Sequence, residues 1–308
     1  MTDSLTPDHL ELVQGLYQTP ARISPKYFYD AKGSALFEDI TRLQAYYPTR
    51  TEQAIMSANA LQIAQAVGVN RIVIELGAGN CQKARALCEL ICPTRFLAID
   101  ISEAFLHDAV VAMRLSFPNI DIQAIAADLT SDIVLPESLP TERRLIFYPG
   151  SSLGNFDPPH ALALLSRMRD LLLDDGALLI GVDLVKSETV LNAAYDDDDG
   201  VTAAFNLNVL DHVNRLIGSN FDTRQWQHRA FFNAEQSRIE MHLEAKVNLL
   251  VNWHGGGRRF SQGERIHTEN SYKYRVEDFV ELLSRAGLCQ TQVWTDEQAW
   301  FAVALARP

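Results

Sequence analysis

RIVIELGAGNCQKARALCELICPTRFLAID, residues 71–100, is the stretch on which the fold turns. RIVIEL is aliphatic and β-branched and runs into Gly77-Ala78-Gly79, the pattern of a buried strand entering a tight turn. CQKARALCELI then spaces its apolar residues as a helix does, and RFLAID (95–100) is a second strand. The rhythm continues downstream. SEAFLHDAVVAMRLSF reads as a helix with Ser102 at its N-cap, DIQAIAAD (121–128) as a strand, and RRLIFYPGSS (143–152) as another. PPHALALLSRMRDLLL is a helix opened by prolines and closed by Asp-Asp-Gly, and ALLIGVDLV (177–185) is a fifth strand. Strand and helix in alternation predict an α/β fold with a mostly parallel sheet covered on both faces.

Two regions fall outside this rhythm. Residues 1–65 read as largely helical, with loops around YFYDAKGS and YYPTRTE. Residues 190–275 open with a helix-like insertion and continue with RIEMHLEAKVNLLV (238–251), an alternating run. A glycine-rich turn, HGGGRRFSQGE, leads from it to IHTENSYKYRV, which predicts a hairpin. TQVWTD and AWFAVALARP at the C-terminus supply two further strands to close the sheet. The expected division is a core of 61–195 plus 286–308 and a second lobe of 1–60 plus 196–285.

The 308 residues carry 27 Lys and Arg against 39 Asp and Glu, a net charge of −12. Such a surface repels phosphate backbones, and the densest basic cluster, Arg258-Arg259, is too short to track a duplex. No run approaches the roughly 18–20 apolar residues of a membrane helix, and no secretory signal is recognisable. Neither nucleic acid nor membrane is an expected partner, the location is expected to be cytoplasmic, and a monomer is the working expectation. Cys81, Cys88, Cys92 and Cys289 form no C-x-x-C pair and have no histidine at zinc spacing, so they read as structural thiols, Cys88 and Cys92 as small buried helix residues. No metal is expected. The acidic run Asp196–Asp199 reads as a solvated loop. His107, His160, His228 and His242 lack a partner pattern and read as surface or satisfied core residues.

The glycine turn is the first chemical signal. Glycine lets backbone approach a ligand at the mouth of such a sheet, and Asp100 ends the next strand, where a carboxylate can accept both hydroxyls of a ribose. A dinucleotide fold needs a third glycine so that the pyrophosphate can rest on the helix N-terminus. Here that position is Gln82. S-Adenosylmethionine has no phosphate and carries a positive sulfonium, so carboxylates at Glu75, Asp100 and Asp128 suit it better.

Five motifs then carry a resemblance: YFYDAKGSALFEDITRLQAYYPTRTE (27–52), ELGAGNCQK (75–83), FYPGSSLGNF (147–156), AYDDDDGVTAAFNLNVL (194–210) and IHTENSYKY (266–274). In this order they resemble the histidine-specific, S-adenosylmethionine-dependent methyltransferases of ergothioneine biosynthesis, over nearly the whole chain. The resemblance implies a Rossmann-like class I methyltransferase core with a seven-stranded sheet and a second substrate-binding lobe. It implies three successive methyl transfers to the α-amino nitrogen of L-histidine, giving hercynine, with S-adenosylmethionine as methyl donor. It further implies that Gly77, Lys83, Asp100, Asp128 and Leu129 contact the methyl donor. Asn155 and Tyr195 would hold the amino-acid carboxylate, Tyr46, Glu269 and Ser271 would surround the imidazole, and Met241 would shape the side-chain pocket. Tyr29, Phe37 and the Gly150 backbone would line the catalytic pocket around the amine.

These residue types make chemical sense. A carboxylate such as Glu269 facing an imidazole N–H makes a charge-assisted bond, and Ser271 points to the same side if the stretch is a strand. Phenylalanine or tryptophan would leave one of these groups unpaired, at roughly 1–3 kcal/mol. A tyrosine with an ordinary pKa of about 10 is a poor general base, so Tyr29 is expected to orient the amine while the proton leaves to solvent. Aromatic walls from Tyr29, Phe37 and Tyr46 suit a product that becomes a quaternary ammonium. Without the resemblance, Glu269 would read as a solvated strand residue, Tyr46-Tyr47 as core aromatics before a turn, and Lys83 as an exposed helix lysine. Two other functions are weighed: methylation of another aromatic amino acid such as tryptophan, and non-catalytic binding of S-adenosylmethionine.

Overall fold

Strand and helix alternate through the middle of the chain, as the apolar periodicity requires, in a computed structural model that describes residues 7–131 and 133–308. The chain forms two units, one from the residues up to Tyr46 with 187–271, the other from 47–186 with 272–308. The first begins with α1 (Pro7–Tyr17), β1 (Ala21–Arg22), a 3-10 turn at Pro25–Phe28 and α2 (Ala31–Arg42). The second contains α3 (Tyr47–Ala58), α4 (Ala60–Val67), β2 (Ile72–Leu76), α5 (Gln82–Ile91), β3 (Arg95–Asp100), α6 (Glu103–Ser116) and β4 (Asp121–Ala126). It continues with β5 (Arg144–Tyr148), a 3-10 turn at Ser152–Asn155, α7 (Pro158–Leu172) and β6 (Ala177–Asp183). The first unit resumes with α8 (Glu188–Tyr195), α9 (Val201–Ile217), β7 (Trp226–Asn233), β8 (Arg238–Ala245), β9 (Leu249–Trp253), β10 (Gly256–Phe260) and β11 (Arg265–Tyr272). The second closes with α10 (Val276–Arg285), β12 (Gln290–Thr295) and β13 (Phe301–Arg307).

The second unit is built on a seven-stranded sheet of order β12-β13-β6-β5-β2-β3-β4. β4, β3, β2, β5 and β6 run parallel, while β13 is antiparallel to both its neighbours. This is the Rossmann-like, mostly parallel sheet that the alternation called for. Its inner strands, β2, β5, β6 and β13 with the middle of β3, are buried on both faces, while β4 and β12 are partly exposed; the buried side chains divide by parity. Ile72, Ile74 and Leu76, with Leu97, Ile99, Ile146, Leu178 and Ile180, enter one core layer. Val73, Phe96, Ala98, Leu145, Phe147, Ala177 and Leu179 enter the other. A shift of one residue in any of these strands would exchange its two layers. The chain leaves β2 for β3 and β4 on one side, then returns to β5 on the other. At such a switch point the loops after two neighbouring strands diverge and leave a crevice at their carboxyl ends, where α/β sheets bind ligands.

The first unit holds a four-stranded sheet of order β1-β11-β8-β7 and a two-stranded one, β9-β10. Here the expectations need correction. The run 238–251 is two strands, because Lys246–Asn248 break it and β9 turns away to pair with β10. The hairpin turn is at His254-Gly255, with Gly255 at φ 82°, so the glycine-rich segment is itself largely strand β10. β7, antiparallel to β8, was not foreseen, because WQHRAFFN lacks a clean apolar alternation. The unit boundaries also differ from the expected 61, 195 and 286: α3 and α10 belong with the seven-stranded sheet, and α8 does not. Cys81 and Cys88 are buried, but Cys92 caps the end of α5 and is exposed. Ser102 stands at the N-cap of α6 without using its side chain as a cap. The helix that opens with prolines is capped by Asp157, whose carboxylate accepts the His160 N–H.

Candidate active site

In the second unit the site is organised around the turn after β2. Gly77 and Gly79 have φ of 68° and 51°, the left-handed region that favours glycine. A Cβ at either would meet nothing within 4 Å, so the backbone here borders open space. Asp100, at the end of β3, fixes the turn. One of its oxygens accepts the Gly79 N–H at 2.9 Å and the other the Ser102 N–H at 2.9 Å. Asp128 lies two residues beyond β4, beside Asp100 through the Ala127 N–H, which donates to the Asp100 carbonyl. Its carboxylate accepts from Thr130 N–H and Oγ1 at 2.8 and 2.6 Å. Leu129 packs against the core, and its carbonyl accepts from Arg167.

Below the turn, Glu75 is 1% exposed and its Oε2 has no hydrogen-bond partner among the described residues. Burial holds its carboxyl well above the usual range, against the pull of Lys83. Burial likewise raises the Cys81 thiol, and the Cys88 thiol to about 12, which makes both unreactive small core residues.

The loop after β5 is the second element. Gly150 has φ 81° and Ser151 φ 60°, and the 3-10 turn that follows ends at the half-buried Asn155. Ser151 Oγ accepts the Asp183 N–H at 2.8 Å, which ties the loop to β6. The Asp183 carboxylate is fully buried and is held down, against burial, by Lys273 and Lys186 at 2.8 and 2.6 Å. Tyr47 also donates to it. Lys83 is not the exposed lysine its helix suggested: its Nζ pairs with Glu52 at 2.7 Å.

The first unit, taken by itself, holds a string of rings. Tyr29, at the end of the first 3-10 turn, meets Phe37 of α2 edge to face at 5.9 Å. Phe37 meets Tyr46 at 6.4 Å, and Tyr46 meets Tyr195 of α8 at 6.1 Å. Phe205 of α9 packs on both Tyr29 and Phe37 at 6.0 Å; the sequence reading passed over it. Tyr195 and Ser271 share a buried hydrogen bond of 2.7 Å. Glu269 and Ser271 both lie on β11, 8% and 4% exposed, and Met241 lies on the neighbouring β8 at 2%. Within the first unit, then, Tyr29, Phe37, Tyr46, Tyr195 and Ser271 are joined contact by contact. Within the second, Gly77 and Asp100 share one turn, and Lys83 and Gly150 share one carboxylate.

A polar cluster on β8 and β11 was also missed. Glu240, His242 and His267 bring three potential ligand atoms within 4.8 Å of one another. Glu240 is already committed, Oε1 to Arg238 and Asn233 and Oε2 to His242. Against burial, those bonds hold it down to about 2. His242 Nδ1 has no partner among the described residues, so this histidine is not the satisfied one expected. His228 is, between Asn206 and the Tyr195 carbonyl.

A family model described as histidine-specific methyltransferase, SAM-dependent, matches residues 8–308. The chain belongs to this family. It is 40% identical to histidine N-alpha-methyltransferase of Mycolicibacterium smegmatis, over 95% of this chain and 92% of that one. It is 36% identical to histidine N-alpha-methyltransferase of Mycobacterium tuberculosis, over 96% and 93%. It is 28% identical to ergothioneine biosynthesis protein 1 of Neurospora crassa, over 90% of this chain and 32% of that longer protein.

The residues present fit the family's methyl donor, S-adenosylmethionine. Open space beside two left-handed glycines leaves room for backbone contact, and Glu75 Oε2, without a hydrogen-bond partner among the described residues, offers a polar atom. Asp100 and Asp128 stand at the carboxyl ends of adjacent strands. A histidine-specific methyltransferase needs such acceptors near a ribose and a cation, and no phosphate cradle.

Proposed function

We propose that this enzyme transfers three methyl groups in succession to the α-amino nitrogen of L-histidine, giving hercynine, the opening step of ergothioneine biosynthesis. The observation that carries the reading is the pairing of a buried carboxylate and a buried hydroxyl two residues apart on β11. Glu269 and Ser271 offer a charged and a neutral partner to a ring that has two nitrogens. In this reading Tyr46 completes the imidazole pocket and Met241 fills its apolar side. Asn155 and Tyr195 hold the carboxylate of the amino acid.

S-Adenosylmethionine supplies an electrophilic methyl carbon when bound. Gly77, Lys83, Asp100, Asp128 and Leu129 are assigned to hold it. The remaining task of the chain is to present a neutral amine in line with that carbon. Fixing two reactants in this way can contribute about 7–11 kcal/mol. Tyr29 and the Gly150 backbone orient the amine, whose proton passes to solvent before each transfer. Phe37 and the tyrosines enclose a nitrogen that grows more apolar with every methyl and ends as a permanent cation, which ring faces tolerate.

Titration of the S-adenosylhomocysteine-loaded protein with single amino acids tests the pocket. Histidine is expected to bind, and Glu269→Ala to abolish that binding while leaving S-adenosylhomocysteine affinity intact. Preferential binding of tryptophan or phenylalanine would overturn the assignment.

A further inference from the structure

Glu52 stands on α3 and carries no role in the reading above. It is 4% exposed, yet it is charged and joins two assigned residues. The Gly150 N–H donates to both its oxygens, at 2.9 and 3.1 Å. Lys83 Nζ lies 2.7 Å from Oε2. A third element makes room for it: a Cβ on Gly181 of β6 would stand 2.0 Å from Glu52 Oε1, so the carboxylate occupies the place a side chain there would need. The helix after the glycine turn and the loop after β5 therefore converge on one buried anion.

This arrangement constrains Gly150 in a specific way. Its φ of 81° is a conformation that only glycine adopts without strain. Its N–H is spent on Glu52, so the carbonyl is the polar group of that residue left to face a ligand. A Cβ there would come within 2.9 Å of Lys83 Nζ, so the lysine and the glycine are also in close approach.

We propose that Glu52 is a positioning residue for methyl transfer, setting the Lys83 ammonium and the Gly150 peptide with the same carboxylate. The inference rests on the assignment of Lys83 to the methyl donor and of Gly150 to the substrate amine. Glutamine at this position keeps the shape but loses the charge that pairs with the Lys83 ammonium, and it turns one of the two oxygens that face the Gly150 N–H into an N–H donor. A misplacement of about 1 Å at a reacting centre can cost about 100-fold in rate.

The test compares Glu52→Gln, Lys83→Met and the double variant in the full chain. Three quantities are read: kcat with histidine, the histidine KM, and S-adenosylhomocysteine affinity by calorimetry without histidine. Glu52→Gln is expected to lower kcat at least about tenfold with little change in histidine KM. In S-adenosylhomocysteine affinity the two substitutions are expected to be strongly non-additive, since contacting residues couple. Unchanged kcat in folded Glu52→Gln protein, or additive effects on affinity, would overturn the proposal. If Glu52→Gln does not fold, Glu52→Asp, which withdraws the carboxylate by one methylene, is expected to lower kcat. Full activity in that variant would overturn the proposal equally. Should the wild-type protein leave histidine unmethylated, the functional reading falls, while the affinity cycle still decides whether Glu52 acts through Lys83.

Discussion

The Tyr195 hydroxyl and Ser271 Oγ lie 2.7 Å apart, both buried, and bind the end of α8 to the end of β11. The residue assigned to the carboxylate and one assigned to the imidazole thus hold each other. Tyr195→Phe removes the hydroxyl that the proposed reading assigns to the amino-acid carboxylate and leaves the Ser271 hydroxyl without this partner, a loss of roughly 1–2 kcal/mol. Histidine KM is expected to rise about 5–30-fold, with S-adenosylhomocysteine affinity unchanged. Because the two hydroxyls share one bond, adding Ser271→Ala is expected to cost less than the sum of the single effects. Steady-state kinetics on the three variants checks this.

Gly150 is expected to tolerate no side chain. Gly150→Ala meets a positive φ and a contact with Lys83 Nζ. The strained backbone costs about 1 kcal/mol or more in stability, and the shifted peptide lowers kcat. Thermal melting with single-turnover methyl transfer reads both effects, and kcat is expected to fall further than the stability change explains.

Asp100→Asn keeps the size of the side chain and loses the charge that accepts from Gly79 and Ser102. It also removes the anionic acceptor that the proposed reading assigns to the ribose. S-Adenosylhomocysteine affinity is expected to fall by a factor of 10–100, that is about 1.4–2.7 kcal/mol, as measured by calorimetry.

Stability is expected to fall on acidification, and the sign follows from three histidines, the buried His242 and the half-buried His228 and His267. Burial and the neighbouring His242 pull His267 down to about 4, and burial lowers His228 and His242 as well. A histidine whose folded pKa lies below its unfolded value of about 6.5 binds fewer protons when folded. Its contribution is complete above that value and is lost as pH falls toward 4. For His267 the full loss amounts to on the order of 3 kcal/mol. Denaturant unfolding between pH 7.5 and 4.5 is expected to show this decline, and His267→Gln to flatten it.

The sheet was legible because buried parallel strands are short, β-branched and bounded by turns, and because parity alone assigns Ile72 and Val73 to opposite layers. The glycine turn was legible because few residues adopt its backbone. The site residues became readable through spaced motifs, and Lys83, Glu269 and Tyr46 would have passed as ordinary residues without them. What stayed hidden depends on distant contacts. Glu52 meets Gly150 across 98 positions and Tyr47 meets Asp183 across 136, and no local pattern announces either. Glu240 and His242 share a strand face by their spacing, but His267 joins them only through sheet pairing. β7 was missed because its Gln, His, Arg and Asn obscure the period of two.

The central claim is the reaction itself. Purified protein incubated with S-adenosylmethionine and the twenty amino acids together, followed by mass spectrometry, tests it most directly. The account predicts histidine gaining three methyl groups on its α-nitrogen while the other amino acids remain. Methylation of a different amino acid, or cofactor binding with no amino acid consumed, would contradict it.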